Sequence, residues 1–256
     1  MPSFSTFQST SKPAILIIGP PGSGKTSAIA GIDGIYIIDV DNNIGAAFSY
    51  FQKRNLPCNA EYEIPHIKDN KLVERKDRFR VLNDVANKAV ADPKTKALGI
   101  DGLSSLIEIF LDEVRRQQGR KIGDMEKGIP DEALQRQDWG LFGGLMRQWL
   151  IKLRACGKPL LVTGHVVVDT EELAETVKKL FINLPGKFAN EISGLFTEVW
   201  YTSVEEQKDK EGKVSYKYFI RTRPDRSMVH LGLKSASQLD AKVEVNPAQL
   251  NKLLFS

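Results

Sequence analysis

The chain has 256 residues, of which 27% are charged and 41% hydrophobic, with a formal net charge of +4 and a pI near 8.9. That length suits one large α/β domain with a sizeable core, and the positive excess is too small to establish nucleic-acid binding by itself. The two cysteines, Cys58 and Cys156, stand alone, which excludes a disulfide framework or a Cys/His zinc cluster and fits a reducing cytoplasm, and no apolar run reaches the roughly 20 residues of a membrane span.

Residues 1–12 are polar and rich in Ser and Thr, lack the basic and apolar segments of a secretory signal, and read as a flexible N-terminal arm. Residues 13–256 read as a single domain. Residues 14–18 form a continuous apolar run of the kind carried by strands buried on both faces of a parallel sheet. A glycine-rich turn follows, a helix is predicted over 26–32, and residues 34–39 read as a second buried strand ending in acid, which together make a βαβ unit. Helical spacing returns over 44–54, and the polar stretch 57–78 has no readable period. Over 79–91, Phe79, Leu82, Val85, Ala86 and Ala89 share one helical face. Residues 97–100 read as a strand ended by Asp101, followed by a helix over 103–114. The stretch 115–138, rich in Gly and charge, is a long irregular loop of the sort that is functional or mobile in a compact domain. A helix over 139–155, a buried strand over 159–165 and a second polar segment to about 186 come next. Residues 198–204 and 215–221 alternate as strands about a charged turn, which is a hairpin signal. The class predicted is α/β: a mainly parallel sheet flanked by helices, with a C-terminal antiparallel hairpin.

The segment Gly19-Pro20-Pro21-Gly22-Ser23-Gly24-Lys25-Thr26, followed by Ser27, satisfies G-x-x-x-x-G-K-[ST] between an apolar strand and a helix. Its glycines let backbone N–H groups converge on phosphate oxygens. Lys25 is expected to reach the β- and γ-phosphates and Thr26 to ligate Mg²⁺, so ATP and Mg²⁺ are the expected ligands. Asp101, at the end of an apolar strand, is the candidate carboxylate for orienting a magnesium-bound water, or else an N-cap for the next helix. Hydrolysis also needs a group that positions the attacking water. Asp39 and Asp41 end the second strand, and alternation along an extended backbone puts both on one side. Either could reach the nucleotide, and the same pair could cap the helix near Ile44.

From these residues outward the chain resembles the RecA-like ATPases. Ile38-Asp39-Val40-Asp41 is similar to the strand end at which such proteins place their catalytic carboxylate two positions after an Asp, which implies Asp41 as the base, an Asp where the family typically has Glu. Asp101, the long loop, the helix with Trp139-Gly140-Leu141 and the strand ending in His165 follow in the family's order. The resemblance implies that His165 senses the γ-phosphate and relays its state to a second DNA-binding loop. Residues 184–188 and 194–199 resemble the closing segment of phage-encoded RecA-like ATPases, a group that includes single-strand annealing proteins. The implied activity is ATP hydrolysis, stimulated by DNA, in recombination or single-strand annealing, within a ring or filament in the bacterial host cytoplasm. The paired cations Arg221 and Arg223 would then enter a neighbouring copy's ATP site, with Lys234 as a competing candidate. Arg115, Arg116, Arg120 and Lys121 in the first loop, and Lys178, Lys179 and Lys187 in the second, are the candidate contacts to single-stranded DNA. Nearby acids, including Asp131 and Glu132, offset them, and aromatic residues are sparse apart from Phe181 and Phe188. Two other readings stand beside this one: a RecA-like ATPase acting on a protein partner, and a nucleotide-gated assembly module with little turnover.

Overall fold

The computed structural model describes residues 12–124, 127–169, 179–185, 187–208, 212, 214–237, 239–245 and 247–255. Most of the expected arm, residues 1–11, lies outside them, as do Lys178 and the acids Glu126, Glu171, Glu172 and Glu175.

The first strand, β1 (Ala14–Gly19), is buried along its whole length. Its side chains alternate between two separate cores. Ile15 and Ile17 join Ile29, Ile37, Phe51, Trp200 and Leu254 on one side of the sheet, whereas Leu16 and Ile18 join Ile38, Phe110, Met146 and Trp149 on the other. A strand with helices over both faces needs apolar residues at every position, which is why the run is continuous. Truncating one of these isoleucines to alanine would cost about 2–5 kcal/mol.

The phosphate-loop segment leads into a short helix, α1 (Lys25–Ala30), then β2 (Ile35–Asp39) and α2 (Ile44–Lys53). The stretch without a readable period holds small strands, β3 (Glu61–Glu63), β4 (Ile67–Lys68) and β5 (Lys71–Leu72), and then α3 (Arg78–Ala91). β3 pairs with β2 as a short edge strand. Next come β6 (Ala97–Asp101), α4 (Leu103–Gln117), α5 (Arg136–Arg154) and β7 (Leu160–Asp169). β7 runs four residues past the predicted end at His165, and that extension pairs antiparallel with β8 (Lys179–Ile182). After α6 (Phe188–Glu191), the hairpin of β9 (Glu198–Lys208) and β10 (Val214–Arg221) follows as predicted. The chain ends in β11 (Lys234–Ser235), β12 (Lys242–Glu244) and α7 (Pro247–Phe255), which the sequence reading left undivided.

The main sheet has the order β12-β10-β9-β1-β7-β6-β2-β3, with β8 and β11 as side pairings. Pairing is parallel from β9 through β3, and antiparallel for β9–β10 and β10–β12. The architecture is therefore the α/β class expected, a mainly parallel sheet flanked by helices with a C-terminal antiparallel hairpin. β7 separates the strand bearing the phosphate loop from the strand bearing Asp101. Register then decides what meets: Gly19 lies opposite His165, and Asp39 opposite Asp101. All four stand at the carboxyl ends of parallel strands, where open α/β sheets bind ligands.

Candidate active site

A cavity of about 400 Å³ opens at these strand ends. Its polar lining includes Lys25, Thr26, Asp41, Asp101, Thr163 and His165, and its apolar lining Ala47, Tyr50, Phe51, Leu56, Tyr218 and Val245. Pro21, Gly22 and Gly24 of the loop and Ser27 of α1 also line it.

The phosphate loop is gripped from the C-terminal hairpin. Ser23 Oγ and Thr202 Oγ1 are hydrogen-bonded at 2.6 Å, and Thr202 also donates to Ile18 O at 3.3 Å. A β-carbon at Gly19 would lie 2.3 Å from Thr202 Oγ1, and one at Gly24, where φ is 86°, would lie 2.8 Å from the Tyr218 ring. Each motif glycine is thus fixed by a named neighbour as well as by the phosphate it would approach. Lys25 is buried and donates to Gly19 O at 3.1 Å and Pro20 O at 2.8 Å. Burial lowers its pKa, against which Asp101 and Asp41 pull upward.

Asp101 is buried, with both carboxylate oxygens engaged. Oδ2 accepts from Thr26 Oγ1 at 2.8 Å, and Oδ1 accepts from Thr163 Oγ1. Burial pushes its pKa up to about 6, with Asp39 and Asp41 adding to the rise, although the two hydroxyl hydrogen bonds oppose it. The expected N-cap role falls to neither oxygen, since α4 begins at Gly102 without a side-chain cap.

The pair Asp39 and Asp41 divides. Asp39 is fully buried and accepts from the backbone N–H of Asn43 at 3.1 Å and of Ile44 at 2.9 Å, so it holds the first turn of α2. Asp41 lies past the strand end, lines the cavity, and has Oδ2 3.8 Å from His165 Nε2. A β-carbon at Gly102, where φ is 105°, would sit 2.3 Å from Asp41 Oδ1, so this carboxylate rests directly on the Gly102 backbone. His165 has its pKa lowered by burial and by Lys25, with Asp41 opposing, which leaves the imidazole neutral at neutral pH.

These groups fit a magnesium ion that arrives with its nucleotide. Among the described residues no cluster of three or more His, Cys, Asp or Glu could hold a metal alone. Thr26 and Asp101, already hydrogen-bonded, supply the hydroxyl ligand and the acceptor for a bound water that a phosphate-borne Mg²⁺ requires.

The remaining predicted residues lie elsewhere. Arg221, Arg223 and Lys234 do not line this chain's cavity. Arg221 is 3.5 Å from Glu205 and 3.9 Å from Asp225, Arg223 is exposed, and Lys234 is half-buried beside Arg154 and Glu198. In the first loop Arg115 is buried against Asp112 at 2.9 Å, Arg116 pairs with Glu113 at 2.7 Å, and Arg120 pairs with Asp138 at 2.7 Å and Glu132 at 3.1 Å. These three arginines are committed to intramolecular ion pairs, while Lys121 is exposed. Lys179 and Lys187 are also exposed. Residues the sequence reading missed are Thr163, Gly102, Thr202, Tyr50 and Tyr218. Gly102 alone carried a signal, as a glycine between a strand's terminal acid and a helix.

The strand, loop, lysine and hydrogen-bonded Thr26–Asp101 pair define a P-loop nucleotide-binding domain. The family model described as AAA domain matches residues 11–230, and the chain belongs to that family. No curated protein matches it. Among solved structures it is similar to a KaiC-like protein from the hyperthermophilic archaeon Pyrococcus horikoshii OT3, at 13% identity and TM-score 0.43, over 93% of this chain and 88% of that one. It is also similar to the RadB recombinase, at 11% identity and TM-score 0.42, over 88% and 92% of the two chains. At these values neither likeness bears on what this chain does.

Proposed function

We propose that the chain is a Mg²⁺-dependent ATPase that acts on single-stranded DNA in recombination or annealing, as a ring or filament whose sites are completed between copies. The observation that carries the ATPase reading is the convergence of Asp41, Asp101 and His165 on the space beyond Lys25 and Thr26. In this reading the triphosphate lies on the loop, Lys25 exchanges its two carbonyl partners for phosphate oxygens, and Asp41 orients the attacking water. His165 faces the γ-phosphate as a neutral donor, and the nucleoside rests against the neighbouring rings of Tyr50 and Tyr218. Bound Mg²⁺ would neutralise charge developing on the phosphates.

Assembly is favoured by the position of Arg223, which is exposed and away from its own cavity, whereas Arg221 beside it is paired with Glu205 and Asp225. DNA binding is favoured by the β7–β8 extension that begins one residue beyond His165. There Phe181 stacks on His230 with ring centroids 4.8 Å apart, next to exposed Lys179. The commitment of Arg115, Arg116 and Arg120 to internal ion pairs favours the second reading, an ATPase acting on a protein partner.

Hydrolysis measured with and without single-stranded DNA at several salt concentrations separates the two. Stimulation that fades as salt rises is the expected result. Equal rates throughout would sink the DNA reading and leave the protein-partner one. Lys25→Ala is expected to abolish turnover under either.

A further inference from the structure

Thr163 belongs to neither the phosphate loop nor the acid pairs, yet its hydroxyl lies between them. It sits on β7 opposite Ile17 of β1, with 2% exposure, one strand away from β6 and Asp101. A threonine hydroxyl has one proton to give and lone pairs to receive. The Gly102 N–H donates to Thr163 Oγ1 at 3.1 Å, so the proton is directed to Asp101 Oδ1. The other oxygen of Asp101 is held by Thr26.

We infer that Thr163 is the positioning residue for both carboxylates of the site, holding Asp101 directly and Asp41 through the backbone of Gly102. This rests on the ATPase reading above. Thr26 Oγ1 would give a lone pair to a Mg²⁺ brought by the nucleotide, and the Thr26 proton would be free to stay directed at Asp101 Oδ2. Among the described residues, Thr163 is the side chain that holds the other oxygen, Oδ1, so that the carboxylate cannot swing about its bond to Thr26. The same hydroxyl anchors the Gly102 amide, and the α-carbon of Gly102 is the floor under Asp41. A single buried hydroxyl therefore ties the metal-orienting acid to the water-orienting acid. Its effect belongs to the metal-loaded state, because Asp101 would act on the nucleotide through the metal and its bound water.

The alternative is that Thr163 only fills space on a β-branched strand, where valine, of the same shape, would serve equally. Binding of a non-hydrolysable ATP analogue to the full chain, measured by calorimetry in Mg²⁺ and in EDTA, separates the two. Thr163→Val is expected to bind normally in EDTA and to lose about tenfold or more of the strengthening that Mg²⁺ confers, in line with other groups that orient metal ligands. In turnover, kcat should fall more than KM rises. Thr163→Ser, which keeps the hydroxyl, should stay close to the unaltered chain.

A valine variant with full Mg²⁺ strengthening, or a serine variant as impaired as valine, overturns the inference. If the valine chain does not fold, Thr163→Cys, a weak donor of similar size, carries the same comparison. Binding by the unaltered chain that Mg²⁺ does not strengthen overturns this inference and leaves nucleotide binding standing. No binding in either buffer overturns the proposed function as well.

Discussion

A methyl group added at Gly102 would meet Asp41 Oδ1 at 2.3 Å, on a backbone whose φ of 105° other residues rarely adopt. Gly102→Ala should therefore push Asp41 out of position and lower kcat by about 10²-fold, the usual effect of roughly 1 Å of misplacement, with little change in nucleotide affinity. Steady-state kinetics would check this, and an unaltered kcat would refute it. Asp101 makes a prediction of the opposite kind. Its folded pKa of about 6 lies above the ordinary 3.8, so between those values the folded chain holds a proton that the unfolded chain releases. The stability linked to this group is full below the unfolded value and is lost as pH rises through about 6. Asp101→Asn should accordingly stabilise the metal-free chain at pH 8 by up to about 3 kcal/mol, seen as a higher melting midpoint, while abolishing Mg²⁺-dependent hydrolysis. A lowered midpoint would contradict it. Lys25, Thr26 and Asp101 were legible because their backbone setting is part of a motif. The division of labour between Asp39 and Asp41 was not, because the alternation that puts them on one side assumes an extended chain. β2 ends at Asp39, and by Asn42 the backbone has turned to a φ of 56°, so one acid caps α2 while the other enters the cavity.

The segment between α4 and α5 has no periodicity to read, yet charge organises it. Arg75 donates to Asp112 at 2.8 and 2.6 Å and to Asp131 at 2.9 and 3.0 Å, and Arg115 joins both acids. At the far end Asp138 accepts from the Gln135 N–H in a capping box at the start of α5 and pairs with Arg120. The loop is thus clasped at both ends by ion pairs drawn from elements far apart in sequence, which single-sequence reading does not pair. Arg75→Met would strand a nearly buried Asp112 with one partner fewer, at a cost of about 3 kcal/mol. Limited proteolysis should then cut between residues 118 and 135 faster than in the parent chain; unchanged resistance would show that the clasp is not what holds the loop. By contrast, the buried strands and α2 through α4 were legible because each keeps an unbroken apolar run or face against one of the two cores.

At the scale of the whole molecule, no arginine among the described residues lines the cavity, and the proposed assembly would supply one from a neighbour. Mixing Arg223→Ala and Asp41→Ala chains should recover part of the hydrolysis that each lacks alone, because a mixed interface can pair one intact acid with one intact cation. No recovery at any ratio would argue against a cation supplied by a neighbour. The sheet order also bears on how the protein is made. β1 is the first strand, yet it lies between β7 and β9, and its loop is tied by Ser23 to Thr202, 179 residues later. While a chain is still emerging from the ribosome, one flank of β1 must therefore stay unpaired until nearly four-fifths of the protein has been synthesised. Fragments released before that point would present an apolar sheet edge to one another, and the binding loop would take its final shape only after the last parallel strand had closed beside it.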